Sequence, residues 1–191
     1  MKLNRKLILA SNSPRRKEIL AQAGFAFDVL VKEIEEVYSA EILPENVPEY
    51  LAHLKAKAFD SQIAHQIILT ADTIVLLNKK ILGKPKDMAH AREMLYAMSG
   101  NVHRVITGVC IATQENIFTC SDHTDVHFKT LTDSEINFYL DQYKPFDKAG
   151  SYGIQEWIGM IGIEKIVGSY YNVMGLPIHI VYNQLQRYRS M

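Results

Sequence analysis

A single acid, Asp72, interrupts the otherwise apolar run "IILTADTIVLL". A carboxylate that is buried, charged and unpaired in such surroundings costs several kcal/mol. Three arrangements avoid that cost: a satisfied structural hydrogen bond, protonation of the carboxyl, or a place where the strand opens into a cleft. In the last case the acid could bind a divalent cation or serve as general base. Ligands of open α/β sheets do sit outside the carboxyl ends of strands. Thr73 faces the opposite side while the strand stays regular, and shares the site only if the strand ends or kinks there.

A second group of residues sits in "LILASNSPRRKEIL". Here a short apolar run leads through a Ser-Asn-Ser turn into a helix that starts at Pro14, with Ser13 as its N-cap. Arg15 and Arg16 then occupy the positive end of the helix dipole, where each cation costs about 0.3–1 kcal/mol. An anion bound at the turn removes the conflict. Free N–H groups, serine hydroxyls such as that of Ser11, and a bidentate guanidinium would all hold a phosphate. The alternative is that both arginines point outward to Glu18, Glu33 or Glu35.

Other candidates are weaker individually. Gly83 and Pro85 hold Lys84 on a stiff exposed loop in "LGKPKD", where it could contact a phosphate or simply be solvated. Lys55 and Lys57 in "HLKAKA" read as a wet helix face unless one turns inward. Glu35 or Glu36 could complete a metal site with Asp72. Gln155 closes the turn-rich "DKAGSYGIQ", and its amide could read the polar edge of a base, since it both donates and accepts. The seven histidines show no zinc spacing, and His103 reads as a packing residue.

The elements that must carry these groups follow from pattern. "FAFDVLV" alternates as a strand, and Pro44 and Pro48 open a helix to about His65 with Tyr50, Leu51, Leu54, Ala58 and Phe59 on one side. Asn78-Lys79-Lys80 forms a turn into the strand "ILG". Asp87 caps a helix through Met98 that stops at Gly100, and Gly24 ends the first helix. "VHRVITGVCIAT" and "IFTCSDHTDVHFKT" flank "QEN" as a long hairpin. Thr132 with Glu135 forms a capping box, "WIGMIGIEKIV" is an apolar stretch, and a last helix starts at Pro177. Strands alternating with helices, plus one hairpin, predict an α/β fold on a mixed sheet.

Composition narrows the function classes. The 191 residues hold 21 Lys+Arg and 21 Asp+Glu, a net charge of zero, which argues against a general nucleic-acid or membrane-surface binder. Only four consecutive apolar residues follow the basic lead, so no secretory signal is expected, and no run reaches the ~18 residues of a membrane span. A cytoplasmic chain with Cys110 and Cys120 reduced is the expectation, ahead of a disulfide across the hairpin.

In order along nearly the whole chain, "LILASNSPRR", "LTADTIV", "ILGKP", "HRVITGV", "DKAGSYGIQ" and "GSYYNVMGLP" together resemble the Maf family of nucleoside triphosphate pyrophosphatases, named for an effect on septum formation. The resemblance implies an inosine triphosphatase-like fold: an elongated mixed β-sheet with flanking helices, residues 1–191 forming one domain of two lobes around a central cleft. It implies cleavage of a nucleoside triphosphate to the monophosphate and pyrophosphate, with Mg²⁺ or Mn²⁺. It makes Asp72 the proton acceptor and ties Arg15, Thr73 and Gln155 to substrate choice. Ser11, Arg16, Lys55 and Lys84 fall on phosphate-lining positions, and Glu36 with Asp72 on the metal site.

Ala71-Asp72-Thr73 and Gly153-Ile154-Gln155 match the branch acting on dTTP and UTP. The sister branch, acting on 7-methyl-GTP, has Ser-Asp-Gln and a Ser-Glu-Gly instead. Leu54 stands where the family often has the Glu of a Glu-Lys-Ala triplet, and Glu156 where Gly commonly follows Gln. A homodimer is compatible with the resemblance. The competing functions are a modified-purine pyrophosphatase and a regulatory partner in cell division.

Overall fold

The run around Asp72 becomes β3 (Gln66–Leu77), buried along its length except at Gln66, Asp72 and Thr73. A computed structural model describes residues 2–60 and 65–189. The chain forms a mixed α/β architecture, with one seven-stranded sheet in the order β2-β1-β3-β5-β6-β7 and β4 paired to β3. Strands β1 (Lys6–Leu9) and β2 (Asp28–Val29) run parallel to each other, and β1 runs parallel to β3. β4 (Lys80–Leu82) returns antiparallel through a two-residue turn, with Asn78 and Lys79 both at positive φ. That pair of left-handed residues matches the right-handed twist of the flanking strands.

The expected hairpin forms from β5 (Val102–Ala112) and β6 (Ile117–Phe128), and β7 (Ile163–Val167) pairs antiparallel with β6. The helices are α1 (Pro14–Gln22), α2 (Val47–Lys57), α3 (Met88–Met98), α4 (Asp133–Tyr143), α5 (Trp157–Gly162), α6 (Tyr170–Val173) and α7 (Ile178–Leu185). Ser13, Asp87 and Thr132 cap α1, α3 and α4 through their side chains, and the Thr132–Glu135 capping box is complete. The apolar stretch after Gln155 divides into α5 and β7.

Two expectations need correction. The strand at "FAFDVLV" shrinks to Asp28–Val29, both exposed, because this edge pairs on one side only and buries little. The helix from Pro44 is a 3-10 turn over Pro44–Asn46 followed by α2, which ends at Lys57 so that Phe59 can enter the core. Residues 61–64 of the predicted span lie outside the described residues. The buried face of α2 is Val47, Pro48, Leu51, Ala52 and Ala56, while Tyr50 is exposed. Small residues lie innermost because the helix packs nearly backbone to backbone: a Cβ on Gly108 would come within 2.2 Å of the Pro48 carbonyl carbon.

The chain divides into two compact units. The first comprises Met1–Asp72, Thr107–Asp122 and Gly175–Met191; the second comprises Thr73–Ile106 and His123–Met174. A core cluster in the first joins Ile8, Ala10, Ala52, Ala56, Phe59, Ile68, Cys110 and Ala112. In the second, Ile74, Leu76 and Ile106 pack together with Ile81. Both cysteines are free thiols. Burial pushes Cys110 up to about 12 and the half-buried Cys120 up to about 11, so neither supplies a thiolate near neutrality.

Candidate active site

In the first unit, α2 is seated on β3 by the buried Thr70 hydroxyl, which donates to the Ala52 carbonyl at 2.6 Å. Thr70 and Asp72 are two apart on a strand and share a face, while Ala52 and Lys55 are three apart on a helix and share another. Seating one pair therefore brings the other together. The Lys55 ammonium meets Asp72 Oδ1 at 2.5 Å and Glu36 Oε1 at 2.9 Å. The Lys55 and Asp72 side chains keep 19% and 13% of their exposure, and Glu36 keeps 53%. Asp72 thus occupies the half-open interior position of β3, with a cation as its partner.

Arg16 comes to the same region from α1. Its Nε donates to the Gly175 carbonyl at 2.7 Å, and Nη1 donates to the Ala71 carbonyl at 2.8 Å and to Ser11 Oγ at 3.2 Å. The guanidinium is turned inward and fastens the residue preceding Asp72. Desolvation pulls its pKa below the ordinary value, and the negative charge of Asp72 opposes that shift. Ser11 is buried and its hydroxyl also accepts from the Ser13 N–H, while Arg15 is half-buried on the first turn of α1. The outward reading fails for Arg16, because its donors are aimed at backbone carbonyls that no surface glutamate can replace.

In the second unit, Lys84 is exposed just after β4. The Gly83 carbonyl accepts from the Gly150 N–H at 3.0 Å, which ties the Lys84 segment to the loop ending in Gln155. Gln155 is exposed and follows four buried residues, Ser151–Ile154. Beneath this loop, His103 and Tyr152 share a 2.7 Å hydrogen bond, and both rings meet Phe128 edge-on. Burial holds His103 down to about 3, so it packs as a neutral ring. Thr73 opens this unit, and β3 continues unbroken through it.

The first unit therefore holds two polar groups, Lys55 with Asp72 and Glu36, and Arg16 with Ser11, which adjoin where Arg16 bonds the Ala71 carbonyl next to Asp72. Sequence reasoning missed the Gly175 carbonyl, although "NVMGLP" stood out as a motif. It also missed a buried network of Tyr139, Lys148 and Glu156, whose only signal was the acid following Gln155.

As to a metal, two carboxylates already converge on one cationic atom, and oxygen donors suit Mg²⁺ or Mn²⁺. Among the described residues no group of three or more His, Cys, Asp or Glu side chains could enclose an ion. The donor set fits a cation that takes its remaining ligands from a phosphorylated substrate and water.

The chain matches the family described as Maf-like protein over residues 6–188. It is 49% identical over 187 residues to the dTTP/UTP pyrophosphatase of Porphyromonas gingivalis (strain ATCC 33277), covering 95% of this chain and 93% of that protein. A Flavobacterium psychrophilum protein of the same description is 50% identical over 180 residues, covering 94% and 92%. The Staphylococcus aureus Ham1 protein superposes over 65% of this chain and 72% of its own, with TM-score 0.46 and 12% identity. That likeness is too slight to carry weight, and no helix among the described residues is long and apolar enough to cross a membrane. With relatives near half identity over almost its full length, the chain belongs to the Maf family.

Proposed function

We propose that this chain is a nucleoside triphosphate pyrophosphatase that hydrolyses dTTP and UTP to the monophosphate and pyrophosphate, as the names of its relatives describe. The observation that carries the reading is Asp72 at the opening of β3, charge-paired to Lys55 and preceded by a carbonyl fixed by Arg16. Such a carboxylate has a cationic partner within reach and enough exposure to meet a water.

Ser11, Arg15, Arg16, Lys55 and Lys84 hold the polyphosphate. Asp72 takes a proton from a water whose oxygen attacks the α-phosphorus. The bond from that phosphorus to the oxygen bridging the α- and β-phosphates breaks, and its electron pair leaves with pyrophosphate. The cationic side chains stabilise that leaving charge, so the work is mostly positioning and electrostatics. Lys55 exchanges its carboxylate partners for phosphate oxygens as substrate arrives. A divalent cation held by Asp72 and Glu36 would supply charge neutralisation on the phosphates. Thr73, Arg15 and Gln155 select the pyrimidine. The reading places the enzyme in the cytoplasm and admits a homodimer, which light scattering would test.

A turnover panel of dTTP, UTP, CTP, GTP and 7-methyl-GTP, with Mg²⁺ and Mn²⁺ in separate arms and pyrophosphate as readout, tests the proposal. Dominant dTTP and UTP turnover is expected. A dominant 7-methyl-GTP signal would overturn the branch, and no turnover of any nucleotide would favour the regulatory partner.

A further inference from the structure

The loop that carries Gln155 is held more firmly than an exposed recognition loop requires. Gly150 and Ser151 both take left-handed backbone, φ 68° and 60°. For Ser151 that conformation persists only where its surroundings over-determine it. Next to this turn, Lys148 is nine-tenths buried, and its ammonium meets Asp147 Oδ1 at 2.8 Å and Glu156 Oε1 at 3.0 Å. The other Glu156 oxygen accepts from the hydroxyl of Tyr139, a fully buried side chain on α4. The same Tyr139 oxygen accepts from the Gly153 N–H at 3.0 Å. One carboxylate therefore neutralises the start of the loop at Lys148 and, through Tyr139, holds its far end at Gly153.

Gly153 connects this network to Gln155. A Cβ there would lie 2.9 Å from Glu156 Cδ and 3.0 Å from Gln155 Nε2. The carboxylate and the amide therefore lie over the same glycine, and movement of Glu156 moves the space in which the amide of Gln155 sits. Without Glu156, Lys148 would keep the more exposed Asp147, but the buried Tyr139 hydroxyl would lose its acceptor and with it the fixed position from which it holds the Gly153 N–H.

We propose that Glu156 is a positioning residue for base selection, acting through Tyr139 and Gly153 to fix the amide of Gln155. The proposal rests on the reading of Gln155 as a base contact. It places selectivity partly in a side chain that does not touch the nucleotide.

The test measures kcat and KM for dTTP, UTP and GTP in the wild type, Glu156→Gln, Tyr139→Phe and Gln155→Ala, alongside melting temperatures. Glu156→Gln keeps the side-chain volume while removing the charge. It should raise KM for dTTP and UTP about fivefold, more than it lowers kcat, and reduce the pyrimidine-over-GTP ratio about tenfold. Tyr139→Phe should shift both in the same direction by less.

A lower melting temperature in both variants, with KM and the ratio unmoved, would reduce Glu156 to a structural role and overturn the proposal. Gln155→Ala separates the two layers. If it leaves the ratio unchanged, the base-contact reading falls and this proposal with it. If it changes the ratio while Glu156→Gln does not, the proposal falls alone. Should Glu156→Gln fail to fold, Glu156→Gln with Lys148→Met removes both buried charges and must still show the relaxed ratio.

Discussion

The two units hold their charges in opposite ways. In the first, Lys55 joins Asp72 and Glu36 at a place that keeps solvent access, through a single flexible side chain that can exchange partners. In the second, Lys148, Glu156 and Tyr139 are locked by several partners each, and His103 with Tyr152 is sealed among aromatic rings. Exchangeable charge suits chemistry on a polyphosphate, where cations must follow charge as it moves. Fixed polar contacts suit recognition, where leaving a buried group unpaired is the penalty for the wrong shape. The contrast predicts that substitutions in the Lys55–Asp72 group change rate and those in the Lys148–Glu156 network change stability or preference.

The largest effect should come from Asp72→Asn. Losing the proposed proton acceptor should lower turnover by roughly 10²–10⁴-fold, with the circular dichroism spectrum unchanged. Near-normal pyrophosphate release would remove Asp72 from its role and dissolve the contrast.

Next is Gly108→Ala, which forces a methyl into the Pro48 backbone. Overpacking of this kind costs about 1–3 kcal/mol or more. The substitution should also shift α2 off β3, so that soluble protein loses activity beyond its lower melting temperature. Full activity in the folded fraction would show that Lys55 is not placed by that seating.

His103 gives a pH signature in the second unit. Its pKa is held at about 3 by burial, below the ~6.5 of an unfolded chain. The unfolded state therefore binds the extra proton first as pH falls. The stability is present above pH ~6.5 and is lost progressively toward pH 3, by up to about 1.4 kcal/mol per pH unit for one proton. Urea titrations of the wild type between pH 7 and 5 should show this slope, and His103→Phe should flatten it. An unchanged slope in the variant would assign the acid sensitivity elsewhere.

The smallest effect belongs to an exposed pair in the first unit. Arg5 holds the Glu115 carboxyl down to about 2 through a two-point contact at 2.6 and 2.9 Å. Solvent screens such pairs, so Glu115→Gln should leave turnover unchanged and move the melting temperature by no more than about 4 °C. A larger shift would show that openness to solvent is not what separates the two kinds of charge.

Local chemistry was readable from the chain itself. Ser13 before Pro14, Asp87, the Thr132–Glu135 box and the Asn-Lys turn depend on neighbours within four residues, and each forms where the pattern puts it. The α/β class and the central strand also follow from short-range pattern and composition. The end of α2 and its buried face did not follow, because the end depends on Phe59 entering the core cluster and the face on Gly108, sixty residues from Pro48, admitting the first turn of the helix. In the site, residue types announced Asp72 and the paired arginines as anomalies that needed an explanation.

The amino-acid sequence by itself determined which groups must find partners: an acid in an apolar strand and cations at the wrong end of a helix. Only the tertiary structure decided who those partners are, Lys55 for Asp72 and two backbone carbonyls for Arg16, and set Lys148 and Tyr139 on Glu156. The reason is physical. The cost of an unpaired charge is a property of the residue and its immediate burial, whereas its relief requires groups that chain folding brings in from distant positions.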